Sequence, residues 1–81
     1  MKTKIIFQGS VWRSYYVEVN LNQLTKDISE RMMDPFEMST CLNTLIINKE
    51  LTPADVVKLI DLLKELEVWN NVARLVINEK D

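Results

Sequence analysis

The stretch Asp34-Pro35-Phe36-Glu37-Met38-Ser39-Thr40-Cys41-Leu42-Asn43-Thr44-Leu45-Ile46-Ile47 decides how this chain is read. Asp34 can accept a hydrogen bond from first-turn amides, Pro35 suits a helical position that needs no donor, and Glu37 falls at N3. The segment therefore reads as the end of one helix and the start of another. The second helix would carry Met38, Cys41, Leu42, Leu45 and Ile46 on one apolar stripe. Cys41 is then a small core residue, with no basic sequence neighbour to activate it as a nucleophile.

The same device recurs downstream at Thr52-Pro53-Ala54-Asp55, which predicts a helix with Val56, Leu59, Ile60, Leu63 and Leu66 facing inward. Upstream, Asn20 or Asn22 caps a helix whose stripe is Leu21, Leu24, Ile28 and Met32. Beyond Glu67, Asn70-Asn71 interrupts the apolar stripe. Trp69, Val72, Ala73 and Val76 then form a new helical stripe, preferred here over a short strand at residues 73–77 that would extend the N-terminal hairpin.

Residues 1–20 have another texture and hold four of the six aromatic residues. Ile5-Ile6-Phe7 and Val11 to Val19 are rich in β-branched and aromatic side chains, and Gln8-Gly9-Ser10 supplies a turn in which Gly9 can adopt positive φ. In the second strand Val11, Arg13, Tyr15, Val17 and Val19 share one face, which reads as core. Trp12, Ser14, Tyr16 and Glu18 share the other. Turns of two and of three residues bring opposite faces of Ile5 and Phe7 against this strand, so the register stays open, and with it the exposure of Trp12.

The expectation is one α+β domain over residues 1–81: an N-terminal β-hairpin (1–20) packed on a small bundle of three or four helices (21–81).

Composition prunes the function classes. The chain has 81 residues, no histidine, one glycine and one cysteine. That removes the commonest general base and zinc ligand, every glycine-rich phosphate loop, an internal disulfide and a thiolate metal cage. The pairs Asp27 with Glu30, Asp34 with Glu37, and Asp61 with Glu65 are spaced to share helix faces, as carboxylates do on most solvated helices. No catalytic residue, metal or cofactor is assigned. A lone cysteine, no apolar leader after Lys2 and Lys4, and no long uncharged run point to a soluble cytoplasmic protein without membrane attachment.

What stands out is Trp12 and Tyr16 on the outward face of the hairpin, with Arg13 and the rim residue Lys4 nearby. Aromatics beside arginine are the usual composition of interface hot spots. The reading is a small non-enzymatic regulator or inhibitor that binds another protein, in the manner of a microbial or phage accessory protein. Its hairpin edges offer a route to a homodimer. The alternative is a nucleic-acid-binding regulator using the aromatic and basic hairpin, or a C-terminal helix bearing Asn70, Asn71 and Arg74. The net charge of −2 and the acids Asp61, Glu65 and Glu67 of the preceding helix weigh against it.

Overall fold

In the computed structural model, residues 1–10, 16, 17 and 19–80 are described. Two helices form where the capping signals place them. Helix α1 spans Leu21–Arg31; the side chain of its N-cap, Asn20, accepts from the Gln23 amide at 3.1 Å. Leu21, Leu24 and Ile28 are its buried stripe. Helix α2 spans Pro53–Glu65 behind a complete capping box: Asp55 N–H donates to Thr52 Oγ1 at 3.1 Å, and Thr52 N–H to Asp55 Oδ2 at 3.2 Å. It buries Leu59, Leu62 and Leu63, with Val56 and Leu66 partly buried against the same core.

Of the described residues, the apolar segments 2–7, 38–41, 44–47 and 72–79 are strands. Among the described residues the molecule has two helices and a four-stranded antiparallel sheet, so the expected bundle of three or four helices does not form. The segment 34–47 is the cause. Asp34 does cap a turn, its Oδ1 accepting from Phe36 N–H at 2.9 Å, but Pro35–Glu37 is a single 3-10 turn. Met38 is already extended at φ −122°, ψ 148°. Strands β4 (Met38–Cys41) and β5 (Thr44–Ile47) then form a hairpin around Leu42-Asn43. The β-branched Thr40, Thr44, Ile46 and Ile47 favour this extended form over the helical stripe. Cys41 is accordingly not a core residue; it lies exposed on an edge strand.

A second correction concerns the C-terminus. Trp69–Asn71 is one 3-10 turn, and Val72–Glu79 is strand β6, not a helix. The N-terminal strand, β1 (Lys2–Phe7), lies between β5 and β6 in the order β4-β5-β1-β6. It therefore does not pair with the segment after Gly9. That segment makes a separate two-stranded ladder, β2 (Gly9–Ser10) with β3 (Tyr16–Val17), and Gly9 does not have positive φ. The central place of β1 follows from its sequence: Thr3, Ile5 and Phe7 are fully buried on one face, and a strand so buried needs neighbours on both sides to satisfy its backbone. The expected facing of Val11 to Tyr15 and of Glu18 lies outside the described residues.

Both helices cover the same face of the sheet. Ile5, Phe7, Leu45 and Ile47 from the strands join Leu24, Ile28, Leu59 and Leu63 from the helices in one core. The cross-strand row Thr40–Leu45–Ile5–Leu75 belongs to this face.

Candidate contact surface

Residues paired across neighbouring strands share a face, so the register defines the side of the sheet that α1 and α2 leave open. Two rows cross it: Ser39–Ile46–Lys4–Val76 and Cys41–Thr44–Ile6–Arg74. Ile6, Ile46 and Val76 are half-buried there, and Ser39, Cys41 and Arg74 are exposed. Lys2 alternates onto the same side as Lys4 and pairs with Glu79 across the strands. Lys4 Nζ reaches Glu79 Oε1 at 2.8 Å. This side thus carries Lys2, Lys4 and Arg74 against Glu79, although the whole chain is net negative.

One end of the sheet adds an apolar point. Leu42, at the β4–β5 turn, is 68% exposed and has φ 55°. A leucine in the left-handed region costs about 1–2 kcal/mol that glycine would not. The turn is held in place from the adjacent strand: Phe7 N–H donates to the Asn43 carbonyl at 2.9 Å, and Asn43 Nδ2 donates to the Phe7 carbonyl at 2.7 Å. No glycine or Asn-Gly pair marks this turn, which is why sequence reasoning missed Leu42.

The four site residues expected from sequence fare differently. Lys4 lies at the centre of the open face. Tyr16 pairs through its backbone with Ser10 in the β2–β3 ladder. Trp12 and Arg13 lie outside the described residues. The chain enters that ladder from the end of the sheet that carries Leu42, because Gln8, just after β1, donates its N–H to the Asn71 carbonyl at 2.8 Å.

The sheet edges are poor docking templates. Strand β4 has only four residues, and β6 is irregular against β1 in two places, between Lys2 and Lys4 and between Ile6 and Phe7. Short and bulged edges resist pairing with a further strand.

Several of the carboxylates have structural partners. Asp34 caps its turn, Glu37 pairs with Lys49 at 3.3 Å, and Asp27 accepts from Gln23 Nε2 at 3.1 Å. Hydrogen bonds from the Thr52 amide, then from its hydroxyl, hold the Asp55 carboxyl below the usual aspartate range, with Lys49 and Lys58 adding to the effect. Among the described residues no three His, Cys, Asp or Glu side chains converge as metal ligands. None of the described helices is long and apolar enough to cross a membrane. The C-terminal recognition helix is overturned: Asn70 and Asn71 lie in the 3-10 turn, and Arg74 is on a strand. Comparison with protein-family models, with curated proteins and with solved structures found no significant match.

Proposed function

We propose that the chain is a non-enzymatic, cytoplasmic protein-binding module, a regulator or inhibitor that acts by covering part of a partner protein. The observation that carries this reading is the one-sided layering: both helices pack on one face of the sheet. The other face keeps a half-buried strip of Ile6, Ile46 and Val76 flanked by Lys2, Lys4 and Arg74. An apolar centre with a charged rim is the anatomy of a protein interface. Leu42 on its braced turn extends one end of this surface, and Trp12, Arg13 and Tyr16 remain the aromatic and basic contacts proposed from the sequence. The cations select a partner patch that is itself acidic.

The test is affinity capture with the wild-type chain and with a Trp12→Ala/Tyr16→Ala double variant, each checked for helical circular dichroism. Loss of one stoichiometric partner with the fold intact supports the reading; loss of the fold places these side chains in the core and overturns their role. A salt-sensitive gel shift with nucleic acid and no captured protein would favour the nucleic-acid alternative.

A further inference from the structure

The half-buried apolar residues of the open face stand on three adjacent strands: Ile46 on β5, Ile6 on β1 and Val76 on β6. Neighbouring strands lie about 4.8 Å apart, so the strip is roughly 10 Å wide. That is the diameter of one α-helix. Towards β4 the face turns polar, with Ser39 exposed beside Ile46. The strip has room for a single helix laid along β1, whereas the opposite side of the same sheet carries both α1 and α2.

Charge supplies the second constraint. Glu79 already occupies Lys4, with Nζ and Oε1 2.8 Å apart. Among the described residues neither Lys2 nor Arg74 has an ion-pair partner. Lys2 precedes Ile6 on β1 by four residues, and Arg74 lies directly across from Ile6 on β6. The two cations are therefore offset by about 13 Å along the strands, or two to three turns of a helix. A chain of net charge −2 thus places uncompensated positive charge at both ends of the open apolar strip.

Other occupants fit less well. A second copy set face to face would bring like charges together. An added strand needs a free edge, and the edges of this sheet are short or bulged. Single-stranded nucleic acid needs an aromatic platform. The rows Ser39–Ile46–Lys4–Val76 and Cys41–Thr44–Ile6–Arg74 contain no aromatic side chain.

We propose that the open face receives one acidic, amphipathic α-helix of the partner, lying along β1. The apolar seam of that helix covers Ile6, Ile46 and Val76, and carboxylates two to three turns apart on its flank meet Lys2 and Arg74. The assignment rests on the protein-binding reading above and narrows it to a helical partner segment.

A phage-displayed library of random peptides about 16 residues long, some 24 Å as a helix, selected on the immobilised chain, tests this. Enriched sequences should carry apolar residues at helical spacing and acidic residues on one flank. A synthetic peptide of that sequence should gain helical circular dichroism on binding. Fluorescence polarisation should show about five- to tenfold weaker binding to Lys2→Glu and to Arg74→Glu. Binding to Val57→Glu, an exposed position of α2 in the opposite layer, should be unchanged. Enriched peptides that need the open face but are basic, or that bind without becoming helical, would overturn the helix and leave the protein-binding reading standing. A selection that enriches nothing would do the same. A single-stranded oligonucleotide bound by the wild-type chain and lost by Arg74→Glu, with no enriched peptide, would assign the face to nucleic acid instead. Equal peptide binding by a folded Ile46→Thr/Arg74→Glu variant would overturn both the helix and the open face as the contact surface.

Discussion

Asn78 and Leu51 bind each other twice: Leu51 N–H donates to Asn78 Oδ1 and Asn78 Nδ2 donates to the Leu51 carbonyl, both at 2.8 Å. The side-chain amide acts as a stand-in for a strand neighbour, tying the segment before α2 to β6. The Asn78 amide itself donates to Oγ1 of the fully buried Thr3 at 3.1 Å, which extends the tie to β1. Asn78 has φ 50°, a conformation asparagine tolerates better than most residues.

Asn78→Ala removes both bonds, leaves the backbone of the buried Leu51 unsatisfied and places alanine at positive φ. Urea unfolding should show a loss of about 3 kcal/mol. Asn78→Gly should lose about 1 kcal/mol less, because it relieves the backbone term alone.

Glu67 offers a gain instead. It has φ 62° immediately after α2, where Val68 N–H donates to the Leu63 carbonyl at 3.0 Å and Glu67 N–H to the Lys64 carbonyl at 3.1 Å. This is a Schellman ending with glutamate at the position glycine prefers. Glu67→Gly should raise stability by about 1 kcal/mol and the melting temperature by several degrees.

Leu42 shares that backbone strain but stands on the proposed contact surface. Leu42→Asn should raise stability by up to about 1 kcal/mol while weakening capture of the partner. Thermal melts and affinity capture on the same sample separate the two effects.

The Asp55 carboxyl titrates below the ordinary aspartate value of 3.8 because Thr52 donates to its charged form. A group with a depressed folded pKa contributes stability above its unfolded value, and that contribution is lost as pH falls through the folded one. The contribution is therefore complete above pH 3.8 and disappears under more acidic conditions. In Asp55→Asn the stability should fall less steeply across this acid range, read as the midpoint of urea unfolding against pH.

The two helices were legible because their caps are side-chain chemistry written locally: Asn20 with Gln23, and Thr52 with Asp55. Residues 34–47 were not, for three physical reasons. The Asp34-Pro35 device starts a 3-10 turn as well as it starts a helix. Apolar residues at 38, 41, 42, 45 and 46 fit a helical period, although Leu45 and Ile47 also alternate as a strand. The hairpin turn obtains its positive φ from Leu42 and so carries no glycine signal. Strand β1 was found, but its partners lie some 40 and 70 residues away, as in Ile5 with Leu45 and with Leu75. Its faces became legible only with that register, which also places Lys4 at the centre of the open side.

The most direct test of the open face as the contact surface is affinity capture with an Ile46→Thr/Arg74→Glu variant, beside the wild-type chain and Val57→Glu. All three should retain helical circular dichroism. The expected result is one stoichiometric partner held by the wild-type chain and by Val57→Glu, and lost by the open-face variant. Retention of the same partner by the folded open-face variant would contradict the account.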